Sequence, residues 1–172
     1  MPENKKGAPQ VVTPRQMDFK MDLQLFAGAG FDSVRAVVGT FGYIYKEGKW
    51  LSQYNKCQAS VDIGKAEIKP AGDRWVRHKV ISLKGTGSIS GYKVTDELLE
   101  EVSVVAHSDK PSMRTELIVT LDDPEAWGAE RIRLQNVMFD NIDIANWEHS
   151  KEIEEEWKFT FEGFELLDII EE

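Results

Sequence analysis

The stretch from Gly128 to Glu148 constrains the fold more than any other part of this sequence. It follows a turn that begins at Pro124, and it ends beside an aromatic residue, Trp147. Its apolar side chains occupy alternate positions and would share one face of an extended chain: Ile132, Leu134, Met138, Ile142 and Ile144. Alternation with a period of two is typical of a β-strand with one buried face. The stretch therefore predicts one long β segment and a mainly β fold.

Other segments repeat this alternation. A strand that ends near Tyr45, a turn at Glu47–Lys49 and a strand that begins near Trp50 predict a hairpin. Four further extended segments are predicted at residues 57–63, 75–94, 113–121 and 157–161. Charges, Pro70 and Gly72 interrupt the pattern between Lys65 and Arg74, so that stretch is predicted to be a long loop.

One segment has helical spacing instead. Thr95 is a suitable N-cap, acidic residues follow it in the first turn, and His107 falls near the C-terminal end. The apolar residues between them lie on one face of a helix, which must pack on a sheet because so short a helix is marginal alone. We predict a mainly β (α+β) fold: a β-sandwich or barrel of long antiparallel strands with one flanking α-helix at about residues 95–107.

The chain of 172 residues has the size of one domain with an arm. Residues 1–20 are polar and contain three prolines, and residues 21–36 carry scattered apolar residues among glycines. We predict that residues 1–36 form an N-terminal arm that is flexible or ordered by neighbouring subunits. Residues 37–172 are predicted to form the β domain.

Composition excludes several classes of function. The net charge of −9 argues against a protein that grips nucleic acid, because phosphate binding depends on Lys and Arg. Cys57 is the only cysteine, so an intrachain disulfide is excluded and a cysteine-rich zinc site is not expected. The sequence contains no run of about 20 apolar residues, and charges between Asp18 and Asp22 interrupt the stretch that most resembles a signal peptide. We expect no membrane span and no cleaved signal.

No residues show the pattern of a catalytic, cofactor or metal site. The run Lys84–Ser88 superficially suggests a phosphate loop, but it lies within a predicted strand and does not lead into a helix. The three histidines are scattered, without the short spacing of metal ligands. Carboxylates at Glu152–Glu156 form a local charge run rather than a convergent pair. We expect no enzyme activity, no cofactor and no metal.

The tryptophans leave an alternative open. Five of them are spread along the chain: Trp50, Trp75, Trp127, Trp147 and Trp157. They are suited to anchor the core or to contact other subunits, and equally to line the groove of a small ligand- or carbohydrate-binding β-sandwich.

Residues from about Val37 to Ile170 resemble the major tail tube proteins of PBSX-type contractile phage tails. Four stretches carry the resemblance: Phe41–Tyr45 with its turn; Lys69–Trp75 leading into Lys84–Ile89; Asp123–Arg131; and Phe139–Glu148 with Phe159–Phe164. The third and fourth are the most specific. Residues 1–36 have no counterpart in the members considered.

The resemblance implies a structural virion protein that assembles as hexameric rings. The rings stack into the hollow inner tube of a phage tail, through which DNA passes without specific binding. Partners by resemblance are further copies of the chain, the tail sheath, the tape measure protein, the baseplate hub and the tail terminator. Assembly would occur in the host cytoplasm. A tube of a phage-derived bacteriocin or injection particle is the near alternative.

Two irregular stretches are the predicted contacts between subunits, because they are long, carry mixed charge and adjoin compact β structure. One is the N-terminal arm, and the other is the loop predicted at Lys65–Arg74. The candidate contact residues are Leu23, Leu25, Phe26, Lys69, Pro70, Asp73, Arg74 and Trp75.

Overall fold

The computed structural model describes residues 32–107 and 109–171. The described elements all lie in one compact unit, Ser33–Glu172. The strands are β1 Gly42–Lys46, β2 Lys49–Trp50, β3 Tyr54–Ile68, β4 Arg77–Tyr92, β5 Thr115–Leu121, β6 Glu130–Phe139, β7 Glu154–Phe161 and β8 Gly163–Asp168. The helix α1 spans Glu97–Ser103, and short 3-10 turns lie at Ser33–Arg35, Gly39–Phe41 and Val104–Ala106.

The strands form one antiparallel sheet in the order β2-β1-β5-β6-β7-β4-β3, with β8 paired to β6 beside this path. Strand β6 divides the sheet into two parts. Its first half, Arg131–Gln135, pairs with β8, whereas Met138 and Phe139 pair with β7. In the described ladders β3 pairs with β4 alone and β2 pairs with β1 alone, so the sheet does not close into a barrel.

The core brings together the inner faces of both parts of the sheet. Its most deeply buried side chains come from β4, β5, β6 and β7: Ile89, Leu117, Val137, Trp157 and Phe159. Helix α1 adds Leu98 and Val102 to this core. The alternation predicted for residues 157–161 is confirmed, because Trp157, Phe159 and Phe161 are all buried while Lys158 is exposed.

The predicted mainly β fold with one flanking helix is confirmed, but the helix is shorter than residues 95–107. It spans Glu97–Ser103 and continues only as a 3-10 turn to Ala106. Asp96, rather than Thr95, occupies the N-cap position. Lys46 of β1 pairs with Glu101, and Lys49 of β2 pairs with Glu97, so ion pairs attach the helix to the β1–β2 hairpin.

The prediction of one β segment from Gly128 to Glu148 was wrong at its C-terminal half. Strand β6 ends at Phe139, and residues 140–148 are not part of a strand. A bulge lies within β6, because Asn136 has a φ of 53° and the partner of β5 shifts from Leu134 to Val137. One extra residue reverses the alternation. Val137 is therefore buried where the simple alternation predicted Met138.

Candidate assembly surfaces

The longest hairpin of the sheet projects beyond the strands that support it. Strand β4 pairs with β7 only from Gly85 to Tyr92, whereas β3 and β4 continue to pair with each other as far as Ile68 and Arg77. We call residues Asp62–Lys84 the β3–β4 arm. Its β4 portion, Arg77–Lys84, extends roughly 25 Å past the last residue paired with β7, at about 3.3 Å for each residue of a strand.

The arm corrects the loop predicted at Lys65–Arg74. Lys65–Ile68 belong to β3, and the connection occupies only residues 69–76. Charges at Lys65 and Glu67 suggested a loop, but a strand that is exposed on both faces has no need of apolar alternation. Asp73 organises the connection: its carboxylate accepts a hydrogen bond from the backbone N–H of Trp75 at 3.0 Å and pairs with Arg77 at 3.3 Å.

The arm combines exposed apolar side chains with positive charge. Its large apolar residues are exposed on both strands and at the tip: Ile63, Ile68, Trp75, Val76, Val80, Ile81 and Leu83. Trp75 is 82% exposed and Ile81 is 66% exposed. The arm carries six basic and three acidic side chains, a net charge of +3 in a chain with a net charge of −9. A two-stranded ribbon with this surface is marginal in water unless it packs against another element.

Three strands have an edge without a described partner: β2, β3 and β8. Strand β8 also exposes large apolar side chains, with Phe164 52% exposed and Leu166 54% exposed. Unpaired strand edges present N–H and C=O groups to which another chain can add a strand. The β3 and β8 edges are therefore suited to pairing with a neighbouring copy.

The structure brings together five of the predicted contact residues and leaves three undescribed. Lys69, Pro70, Asp73, Arg74 and Trp75 all lie at the tip of the β3–β4 arm. Leu23, Leu25 and Phe26 lie outside the described residues, as does most of the predicted arm at residues 1–36. Their part in contacts between subunits, and the boundary predicted between residues 36 and 37, stay predictions.

Sequence reasoning missed the exposed apolar residues of the arm and of β8. Ile81 and Leu83 alternate with polar residues as a buried strand would, and nothing local distinguishes a face covered by its own chain from one left open. Strand β8 was missed because it is short and only Glu162 separates it from β7. The exposed Ile144 and Trp147, between β6 and β7, were instead assigned to a strand.

A buried carboxylate fixes the start of the described chain. Asp123 is 5% exposed, and it accepts hydrogen bonds from the backbone N–H of Val38 at 2.9 Å and of Glu125 at 3.0 Å. Arg35 adds a hydrogen bond to the Glu125 carbonyl at 2.9 Å. The turn predicted to begin at Pro124 is present. Asp123 binds the backbone N–H of Glu125 within this turn and also anchors the segment that leads into β1.

Ion pairs order the outer face of β5, β6 and β8. Arg133 of β6 lies between Glu116 of β5 and Glu165 of β8, with the Glu165 pair at 3.3 Å. The hydrogen bond to Glu116 and the two negative charges raise the pKa of the Arg133 guanidinium. Opposite charges on neighbouring strands stabilise their pairing modestly when exposed to solvent.

Burial raises the pKa of two side chains beside the core, Tyr54 and Cys57. Burial, reinforced by the nearby Glu155 carboxylate, raises the pKa of Tyr54, which donates a hydrogen bond to Glu155 at 2.7 Å. Burial alone raises the pKa of the Cys57 thiol to about 11, so it is protonated and a poor nucleophile near neutral pH. Among residues 32–107 and 109–171, no group of three or more His, Cys, Asp or Glu side chains is arranged to hold a metal ion.

The tryptophans are divided between the core and the surface. Trp157 is 1% exposed, and Trp50, Trp75, Trp127 and Trp147 are exposed on β2, the arm tip, the β5–β6 connection and the segment before β7. An apolar cavity of about 350 Å³ lies between β1, β3 and β5, with Tyr43, Cys57 and Val119 among its lining residues.

None of the described helices is long and apolar enough to cross a membrane.

Known proteins share this architecture. The fold is similar to a chain of the sheath-tube complex of an extracellular contractile injection system, PVC, in the extended state. That match has a TM-score of 0.63 at 5% identity and covers 77% of this chain and 92% of the other. The tube-terminating cap of the anti-feeding prophage also gives a TM-score of 0.63, at 6% identity, over 87% of this chain and 100% of the other. At such low identities these matches show the fold alone.

Sequence similarity identifies the family of this chain. The chain is 30% identical to the phage-like element PBSX protein XkdM of Bacillus subtilis strain 168, over 76% of this chain and 89% of that protein. It is 32% identical to the uncharacterized protein YqbM of the same strain, with the same coverage of both chains. The family described as phage tail tube protein matches residues 29–168. With its open antiparallel sheet and its long projecting arm, the chain belongs to the phage tail tube protein family.

Proposed function

We propose that this chain is a structural virion protein that polymerises as stacked hexameric rings into the inner tube of a contractile tail, through which phage DNA passes. The β3–β4 arm carries the proposal. It is a projecting two-stranded ribbon with exposed apolar side chains from Ile63 to Leu83, and its surface needs a partner to be stable in water. A second copy of the chain supplies that partner.

The arm reaches the next ring of the stack in this proposal. Its extension of roughly 25 Å past the β7 pairing is long enough to cross from one subunit to another. The charge distribution supports the same arrangement, because the arm has a net charge of +3 and the rest of the chain is strongly acidic. Attraction between opposite charges orients one copy on the next. Lys69 and Arg74 at the tip are then contacts between rings.

Rings form through the strand edges. The interface is heterologous, because a free edge on one side of the subunit joins a different edge on the neighbour, and such interfaces close into rings when the rotation permits. Strand β8 with Phe164 and Leu166 supplies one apolar edge, and β3 supplies another. The N-terminal arm, with Leu23, Leu25 and Phe26, is proposed to add contacts between adjacent rings.

The tube has no catalytic step in this proposal, and no cofactor takes part. Its partners are further copies of the chain, a surrounding sheath, a tape measure protein, a baseplate hub and a terminator, all assembled in the host cytoplasm. The known relatives support partnership of this kind: the similar folds occur in a sheath-tube complex and in a tube-terminating cap.

Negative-stain electron microscopy of the purified protein tests the proposal. We expect hollow tubes or six-membered rings at high protein concentration. Replacing Pro70–Arg74 with a two-residue Asn-Gly turn keeps both strands of the arm and removes three of the five contact residues at its tip, Pro70, Asp73 and Arg74. We expect free rings in place of tubes. A matched variant shortens an exposed connection elsewhere by deleting Ser150, and it keeps its tubes. A strictly monomeric protein at high concentration would overturn the proposal.

A tube of a phage-derived bacteriocin or injection particle is the second candidate. The likeness to the PVC sheath-tube complex and to the anti-feeding prophage cap favours it. The same polymer serves both candidates, so imaging the protein alone does not separate them. Capsid and packaging genes beside this gene, or full heads on purified particles, would identify an infectious phage.

A further inference from the structure

One face of the sheet differs from the other exposed surfaces of the described residues. On strands β3, β4 and β7 the positions that point away from the core form three rows of small or polar side chains. The rows are Lys56, Gln58 and Ser60 on β3; Ser90, Ser88 and Thr86 on β4; and Glu156, Lys158 and Thr160 on β7. We call these nine residues the hydroxyl face.

The pairing register places the nine residues on one face. Ser88 lies opposite Gln58 of β3 and Lys158 of β7, and residues directly opposite in an antiparallel pair point to the same side. The intervening position, Ile89, is 0% exposed and lies opposite Cys57 and Trp157 of the core. The two faces of these strands are therefore distinct: one is apolar and buried, and the other is polar and open.

The hydroxyl face has no large apolar side chain, unlike the exposed surfaces of the arm, β8 and the segment before β7. Those surfaces expose Leu83, Phe164 and Trp147, and assembly is the way to cover them. The polar side chains of the hydroxyl face remain hydrogen-bonded to water when it is exposed, so this face does not need to be covered by a partner. Two larger side chains lie at its margin. Met138 of β6 lies opposite Thr160 and is half-buried, and Tyr92 of β4, two positions beyond Ser90, is exposed opposite Glu154.

The charge on this face is nearly balanced. Among the nine residues, Lys56 and Lys158 accompany one carboxylate, Glu156, which gives a net charge of +1 in a chain with a net charge of −9. Two further carboxylates lie at the margin: Asp140 accepts a hydrogen bond from Thr160 at 3.4 Å, and Glu154 continues the β7 row. The next pair along the arm, Asp62 with Lys84, adds no net charge. Most carboxylates of the chain therefore lie elsewhere, and this surface is not acidic although the protein as a whole is.

We propose that the hydroxyl face is the wall of the conduit. This inference rests on the proposed tube, since a hollow polymer has two surfaces that stay wet, its wall and its outside. Helix α1 packs on the core side of the sheet through Leu98 and Val102, so it lies on the side opposite the hydroxyl face. In the assembled tail the outside must also bind a sheath, whereas the wall must bind nothing and offer no protruding or apolar side chain to a moving polymer.

The proposed wall has a definite chemistry. Serine and threonine hydroxyls in its centre hold water, and small side chains on β4 keep it smooth. Attraction of phosphate to Lys56 and Lys158 is offset by Glu156. The partner that this surface fits is a hydrated polymer in transit, which neither sticks to apolar groups nor meets a ring of uncompensated charge. The free edge of β3 lets a neighbouring copy continue the wall around the ring.

Cysteine labelling in assembled tubes tests the assignment. Ser60→Cys and Ser88→Cys are each placed in a Cys57→Ser background, and assembled tubes are treated with a small biotin–maleimide and then with streptavidin. We expect both positions to be biotinylated in intact tubes but to bind streptavidin only after the tubes are dissociated, because streptavidin is excluded from a narrow lumen. The matched control is Glu100→Cys, on the outer side of α1, which we expect to bind streptavidin along intact tubes.

The labelling results distinguish a hydroxyl face that lines the lumen from one that lies outside the tube or between subunits. Streptavidin along the walls of intact Ser60→Cys or Ser88→Cys tubes would place the hydroxyl face outside and overturn the inference, while the tube itself would stand. Failure of the small maleimide to react, or loss of assembly in both variants, would mean that this face is buried between subunits and would also overturn it. If the Cys57→Ser protein formed no tubes and the wild type did not either, the proposed function and this inference would fail together.

Discussion

The ring of Phe159 on β7 lies over Gly87 of β4, so close that a Cβ built on this glycine would stand 2.5 Å from the ring. Gly85 has the same relation to Phe161. The glycines of the Lys84–Ser88 run therefore lie against core aromatic rings within β4 and do not form a phosphate-binding loop. They give the core aromatic residues room to lie flat against the sheet, which explains glycine in the middle of a strand where its own propensity is poor.

Gly87→Ala is expected to destabilise the fold, because the added methyl group overlaps both the Phe159 ring and the Gln58 carbonyl at 2.6 Å. Overpacking a core commonly costs about 1–3 kcal/mol. Urea unfolding followed by tryptophan fluorescence measures the loss in the free energy of unfolding. Gly39→Ala is the matched control, because no atom lies within 4 Å of its added Cβ. Equal stability of the two variants would contradict the packing explanation.

Asp123→Ala is expected to loosen the start of the chain. The substitution leaves the backbone N–H groups of Val38 and Glu125 without the acceptor that they have now. An unsatisfied buried donor costs about 1–3 kcal/mol, so the free energy of unfolding should fall by that order, and amide exchange at Val38 should accelerate. Asp122→Ala, at the exposed neighbouring position, removes the same charge and is expected to change little. Unchanged exchange at Val38 in Asp123→Ala would argue against the anchor.

The Cys57 thiol is expected to react slowly and at unusually high pH. Burial raises its pKa from 9.0 to about 11, so at pH 8 the folded protein should react with a soluble alkylating reagent about a hundredfold more slowly than the unfolded chain, since the thiolate is the reactive form. The raised pKa stabilises the fold below pH 9, and this contribution is lost as the pH rises from 9 towards 11. Alkylation rates from pH 7 to 11, with and without urea, give the pKa of the thiol in the folded and in the unfolded chain, and urea unfolding at several pH values gives the change in stability. A midpoint near 9 in the folded protein would contradict the buried position.

The sequence was sufficient for the local features and insufficient for those that depend on distant strands. The β1–β2 hairpin was predictable from the alternation that ends near Tyr45 and from the turn residues Glu47–Lys49. The structure places this turn at Glu47 and Gly48, with φ of 49° and 84°. The buried row of Trp157 to Phe161 was predictable from alternation. The bulge at Asn136 was not, because it depends on pairing with β5, and it reversed the buried positions beyond it.

The candidate site was located only in part, for the same physical reason. Trp75 and its neighbours were recognised because Pro70 and Gly72 mark an irregular tip. The stem of the arm was not recognised, since Ile81 and Leu83 have the alternation of a core strand. What leaves them exposed is the end of β7 pairing at Gly85, which is a property of another part of the chain. The composition likewise gave the charge of the protein but not its distribution over two faces of a sheet.

Reversing charge at the arm tip is expected to stop assembly without harming the fold. Lys69→Glu with Arg74→Glu changes the net charge of the arm from +3 to −1, so the tip would be repelled by the acidic body of the next copy. Both side chains are exposed, and the free energy of unfolding should change by less than about 0.5 kcal/mol for each surface substitution. Sedimentation and negative-stain images should then show rings or monomers in place of tubes. Lys110→Glu with Lys151→Glu makes the same change in total charge away from the arm and should leave tubes intact; if both pairs behaved alike, total charge rather than the arm would control assembly.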